Sequence, residues 1–323
     1  MAIAIKAPPR ASTGPARAVK PPIWRLLGAT FRIYGHRWRP HLAASIIAQG
    51  PVLLPTVLLI ERLTDSMTVA GAAPAEPDPQ AVALSVLLLL LAFLSAFLFV
   101  LMTGAASQLV EYWLEDRPVS VIAAYGVAIR HFWRLAVTML VVFGLICLAL
   151  AVLAVALAVA STNVVDGSGS SSQDGRPFGL LLASLCAIVL VCALLVDALV
   201  RWAVFVQAVI IEGAGPVSAL KRSAELVKHR WRRTGLIMGI FTLFPVLATM
   251  AVGAVGGLVL SLLTGSGSLS SALASGLAGV AAQLALSPLP AIGVTVLFYA
   301  LRDGEAAWGR IDARMESEKM MMS

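Results

Sequence analysis

Six stretches of the chain run apolar without a single Asp, Glu, Lys or Arg: residues 41–60, 81–107, 135–160, 178–196, 234–264 and 277–301. A helix needs about 20 such residues to cross the hydrocarbon of a bilayer. Strands of a membrane barrel would alternate apolar and polar positions over about ten residues, and these runs do not alternate. The pattern predicts an all-α integral membrane protein with six transmembrane helices. Proline punctuates three of the runs. Pro51 and Pro55 are expected to break the first span, Pro245 the fifth, and Pro288 with Pro290 the sixth. Gly253 and Gly257 form a G-x-x-x-G, a spacing that lets two helices approach closely.

A second pattern lies between the runs. A His-x-Trp-Arg tetrad stands at 36–39 (HRWR), 131–134 (HFWR) and 229–232 (HRWR). Residues 117–134 align without a gap on 215–232, so that Pro118, Val119 and Ser120 fall on Pro216, Val217 and Ser218. Upstream of each tetrad the apolar positions step by three, four, three and four: Trp24, Leu27, Phe31, Tyr34 and Trp38; Val119, Ile122, Gly126, Ile129 and Trp133; Val217, Leu220, Ala224, Val227 and Trp231. That spacing is one face of a helix. The opposite face is cationic in the first and third copies, with Arg25, Arg32 and Arg37, then Lys221, Arg222, Lys228 and Arg230. A basic amphipathic helix of this kind lies flat in a membrane interface. Each tetrad then reads as a corner into the following span. Trp38, Trp133 and Trp231 sit at the headgroup boundary, and Arg39, Arg134 and Arg232 reach the phosphate layer, with Lys221 and Arg222 beside them. The predicted architecture is three pseudo-repeats, each an interfacial amphipathic helix plus a two-span hairpin, over 22–114, 117–211 and 215–301. A disordered basic tail, 1–21, precedes the membrane domain 22–301, and a tail, 302–323, follows it.

Composition agrees with this reading and charge orients it. The chain is 59% apolar and 13% charged, against about 25% charged for an average soluble domain. Residues 1–40 hold eight Lys or Arg and no acid, and 212–233 hold six basic residues against two acidic. The alternate connectors 65–79, 161–177 and 265–276 together hold one basic residue, Arg176. Lys and Arg concentrate on the cytoplasmic side, so both termini are expected there. The net charge of +7 follows from that topology and does not call for nucleic acid.

Few residues carry candidate chemistry. Asp197 and Arg201 are four apart near the end of the fourth run, placed to form an intramembrane ion pair. His36, His131 and His229 form a possible polar cluster. Cys147, Cys186 and Cys192 fall inside apolar runs, where they are expected to act as small buried hydrophobes. No nucleotide loop, zinc spacing or hydrolase triad is present, so no cofactor and no catalytic or metal residue is expected.

At 211–235, IEGAGPVSALKRSAELVKHRWRRTG, the sequence resembles the multi-pass membrane domain found beside bacterial glycerophosphoryl diester phosphodiesterases, and related stand-alone membrane proteins. Glu212, Gly213, Gly215, Pro216, Ala219, Leu220, Arg222, Ser223 and Trp231 carry the likeness, with the closing LFYALRDGEA. The resemblance implies location and topology in a bacterial inner membrane and a loose link to lipid or envelope processes. It implies no activity, because residues matching the phosphodiesterase barrel are absent. The expected function is a non-enzymatic inner-membrane module that binds anionic phospholipid and a membrane or cytoplasmic protein partner. The alternatives are a transporter or permease-like subunit and a membrane-embedded lipid-processing enzyme.

Overall fold

The computed structural model describes residues 23–69, 79–118, 120–166, 176–264 and 269–322. All its regular elements are helices: α1 (Ile23–His36), α2 (Trp38–Val69), α3 (Pro79–Leu114), α4 (Val121–Arg130), α5 (Phe132–Asp166), α6 (Arg176–Arg201), α7 (Phe205–Ile210), α8 (Pro216–Val227), α9 (Trp231–Thr264), α10 (Leu269–Leu286), α11 (Pro288–Arg302) and α12 (Glu305–Met322). Six stretches are long and apolar enough to cross a membrane: Trp38–Leu59, Val82–Leu114, Phe132–Ala149, Ile188–Ile210, Trp231–Val259 and Ser275–Arg302.

The long helices pair as hairpins, α2 with α3, α5 with α6, and α9 with α10. Small residues set the closest of these pairings. Gly253 lies 3.5 Å, measured from the Cβ it lacks, from the Ser275 carbonyl oxygen, and a methyl at Gly256 would press on Ala278. The short helices pack on the end of a hairpin other than their own. α4 lies on α3, α8 on α7, and α1 on α11.

The core sits at one end of the bundle. Every residue of 100–110 and of 291–300 is buried, and α3 packs directly on α11 there. Leu26, Ile33, Leu135, Val204, Ile237 and Phe241 fill the space around these two segments. A polar node lies inside it. Ser107 Oγ is 2.9 Å from Thr295 Oγ1 and accepts from Gln207 Nε2 at 3.3 Å, so α3, α7 and α11 each contribute one side chain. All three residues are fully buried, where bonded hydroxyls and amides fix one register and unbonded ones would be costly.

The far halves of the long helices are different. Leu89, Leu140, Leu190, Leu258 and Leu262 are 60% or more exposed. A water-facing surface rarely carries so many exposed large apolar side chains. Cys147, Cys186 and Cys192 belong to the same outer surface. They are not packed inside the protein, because their helices face outward there.

Proline breaks less than the sequence implies. α2 runs continuously through Pro51 and Pro55, and α9 through Pro245. One missing N–H does not end a helix whose adjoining turns remain bonded. The sixth span does break, at Ser287, and α11 restarts with Pro288 in its first turn. The fourth span breaks without proline, through turns at 202–204 between α6 and α7.

Candidate functional site

All three tetrads coincide with helix breaks. α1 gives way to α2 at Arg37, α4 to α5 at His131, and α8 to α9 across 228–230. The chain stays bonded through each break: Arg37 N–H donates to Ile33 O at 3.2 Å, His131 N–H to Ala128 O at 3.2 Å, and Arg230 N–H to Val227 O at 2.8 Å. Ser120 caps α4, accepting from Ala123 N–H at 3.3 Å. Tyr125 then donates to Ala44 O at 2.6 Å and ties α4 to α2. Burial pushes the Tyr125 phenol up to about 12, which keeps it a neutral donor.

The apolar stripes divide between protein and exterior. On α4 Ile122 (84% exposed), Ile129 (59%) and the following Trp133 (76%) are largely uncovered by the described residues, while Ala124 and Ala128 on the other face are fully buried. On α1 Trp24 and Phe31 are exposed, as is Trp38 at the start of α2, but Leu27 is buried. On α8 Val217 is exposed and Val227 buried. α1 and α8 therefore present apolar groups in two directions, which a single five-position stripe does not describe.

The corner arginines differ in their partners. Arg39 lies over the Trp38 ring at 5.7 Å. Arg134 Nη1 donates to Gly213 O at 2.5 Å. Arg222 makes a two-pronged contact with Glu212, at 3.1 and 3.4 Å. Lys221 and Arg232 are exposed. The cations of α1 and of the turn after it meet α12: Arg25 pairs with Asp312 and lies over Trp308, and Arg37 reaches Glu318 at 3.5 Å. Trp113 Nε1 also donates to Glu318, at 2.8 Å, and Arg314 pairs with Asp116 at 2.5 Å. So α12 neutralises much of the α1 face that the sequence alone would direct at phosphate.

The other sequence candidates are placed as follows. Asp197 and Arg201 pair at 2.7 Å on α6, with their side chains 36% and 52% exposed, so the pair lies at the bundle surface. His131 Nδ1 is 3.0 Å from Val127 O, and His36 and His229 are exposed. Among the described residues no group of three His, Cys, Asp or Glu side chains could hold a metal.

Three features went unseen in the sequence. α3, α7 and α11 each lead to an acid followed by a left-handed residue: Glu115 then Asp116 (φ 58°), Glu212 then Gly213 (φ 66°), and Asp303 then Gly304 (φ 60°). The signal was an acid before Asp or Gly, too short to stand out. Ser223, fully buried, donates to Arg201 O at 2.7 Å and accepts from Val204 N–H at 3.3 Å, so α8 satisfies the break between α6 and α7. Finally, Arg302 stacks on Tyr299 at 4.8 Å and bonds Asp303 through two nitrogens, at 2.7 and 3.0 Å, and Arg310 joins the same carboxylate. Burial pulls the Asp303 carboxyl upward, but the bonds and charges of Arg302 and Arg310 outweigh it and hold the group below its ordinary value.

Among the described residues these observations define an all-helical protein with six helices fit to span a bilayer and a cationic tetrad at each of three breaks between a short helix and a long one. Residues 41–302 match a family described as a domain of unknown function (DUF7847), and the chain belongs to that family. No curated protein and no solved structure matches it. The matched region leaves out α1 and α12, the two helices joined by the Arg25–Asp312 and Arg37–Glu318 pairs.

Proposed function

We propose that the protein is a non-enzymatic bacterial inner-membrane module that spans the bilayer six times, with both ends in the cytoplasm, and collects anionic phospholipid at its tetrad corners. α1, α4 and α8 rest at the inner interface and each leads through its corner into a hairpin, giving three pseudo-repeats. The observation that carries this is α4: Ile122, Ile129 and Trp133 form an apolar stripe that the described residues leave largely exposed, ending where a long apolar helix begins. The packing of each short helix on a neighbouring hairpin end, α1 on α11 included, supports a closed ring of three units. The basic loops at 1–40 and 212–233 support the orientation. A protein partner would meet the same cytoplasmic face. The likeness to membrane domains beside glycerophosphoryl diester phosphodiesterases accords with a role near phospholipid.

The test is lipid analysis of protein purified in gentle detergent. Each Lys or Arg near an anionic surface contributes about 1 kcal/mol. Replacing Arg39, Arg134 and Arg232 with Gln should therefore cut retained phosphatidylglycerol sharply relative to phosphatidylcholine. Unchanged retention refutes the lipid-collecting role.

A further inference from the structure

The third corner differs from the other two. Lys228, His229, Arg230, Arg232 and Arg233 crowd around Trp231 and line a concave surface of about 470 Å³. Among the described residues no ion pair reaches any of these four Lys and Arg side chains, whereas Arg37 has Glu318 and Arg134 has the Gly213 carbonyl. Behind Arg230 and Arg233 lies a smaller cavity of about 20 Å³, walled by Thr234, Leu26, Ile237, Leu297, Ala300 and Leu301. That is room for one oxygen-sized group.

Thr234 marks the cavity as unfilled by the protein. It is 1% exposed, and its Oγ1 has no hydrogen-bond partner. Thr30, Thr56, Thr103, Thr138 and Thr295 all turn their hydroxyls back onto the carbonyl four residues earlier. Thr234 does not, and it lines the same small cavity as the two arginines. Trp231 Nε1 is also buried without a partner. A buried hydroxyl left unbonded is costly, and native structures rarely tolerate one without a bound group to satisfy it.

The donor set fixes the chemistry. Two guanidinium groups, a hydroxyl and an indole N–H all donate, and no carboxylate lines either space. Such a set takes an anion with several oxygens. The apolar wall from α1, α9 and α11 is buried core that admits one oxygen and no more, and it lies at the first turns of the apolar stretch beginning at Trp231, whose outer face carries exposed Leu236. We infer that the α8–α9 corner is a binding site for the phosphate of one anionic phospholipid. Arg230 and Arg233 hold its oxygens, Thr234 Oγ1 donates to the oxygen that enters the small cavity, and the hydrocarbon runs down the outer face of α9, where Leu236, Leu243 and Leu247 are exposed. This rests on the membrane reading above and assigns its tightest lipid to one corner.

The experiment is native mass spectrometry of the detergent-purified full chain titrated with phosphatidylglycerol, phosphatidylcholine or inorganic phosphate. The wild type should retain one phosphatidylglycerol well after the others wash away. Arg230→Gln with Arg233→Gln should weaken that lipid at least about tenfold. Thr234→Val should weaken it severalfold, yet it should raise the thermal midpoint of lipid-free protein, because it removes an unsatisfied buried hydroxyl without changing volume. A purely structural threonine would lower that midpoint, and such a result overturns the site. Retention by both variants, with loss in Arg39→Gln plus Arg134→Gln, overturns the site and leaves the wider lipid reading standing. Retention by every variant overturns both. Inorganic phosphate competing as well as the lipid overturns the phospholipid assignment.

Discussion

The α4 stripe gives the sharpest energetic prediction. Ile122 and Ile129 are 84% and 59% exposed, and neither takes part in the packing of Ala124 and Ala128 against the bundle. Changing both to Ser leaves that packing intact and barely alters helix propensity. If water covers the stripe, the double variant should lie within about 0.5 kcal/mol of wild type. If lipid covers it, the cost follows from the area. Burying an isoleucine side chain contributes about 1.5–3 kcal/mol. Scaled by the two exposures, the pair contributes about 2–4 kcal/mol. The assay is SDS-driven unfolding of bicelle-reconstituted protein, followed by circular dichroism and tryptophan fluorescence. A loss of about 2–4 kcal/mol is expected. A change below about 0.5 kcal/mol refutes the claim that α4 rests in the interface.

Three further outcomes are expected. Ser223→Ala leaves the Arg201 carbonyl and the Val204 N–H without their side-chain partner, so thermal unfolding in detergent should show a loss of about 1–3 kcal/mol. Gly293→Ala drives a methyl into the Phe241 ring at the centre of the core and should cost a similar amount, with Phe241→Leu in the same chain restoring part of it. Asp303 is held below its ordinary value of 3.8, so its contribution to stability is present above that pH and is lost as pH falls through the lower folded value. Thermal midpoints taken from about pH 5 to pH 2 should decline more steeply for wild type than for Asp303→Asn.

The six apolar runs and the helix breaks at the three tetrads were legible because each is a local signal. An uncharged run and a three-four spacing need no knowledge of the partner helix. What stayed hidden depends on distant residues. Nothing near Arg25 or Arg37 announces that Asp312 and Glu318 will neutralise them from the other end of the chain. Leu27 and Val227 looked like members of an outward stripe, yet protein covers them, and only the placement of neighbouring helices decides that. The uncharged stretch 202–211 concealed the turn before α7, which Ser223 of α8 satisfies from farther along the chain. Prolines misled in the opposite direction: they mark where a bond is missing, and the neighbouring turns decide whether the helix stops. Thr234 carried no signal at all, since only the structure shows that its hydroxyl lacks the carbonyl its counterparts use.

The central claim is that three corner units lie on one face of the membrane, with both ends of the chain beside them. Cysteine labelling in sealed inner-membrane vesicles tests it most directly, in a chain whose Cys147, Cys186 and Cys192 have been changed to Ala. Ser12→Cys and Ser323→Cys should react with a membrane-impermeant maleimide from the same side as Ser218→Cys in α8. Ala73→Cys, Ser170→Cys and Ser268→Cys in the three connectors should react only from the other side. Labelling of the two ends from opposite sides, or of Ser218→Cys together with the connectors, contradicts the account.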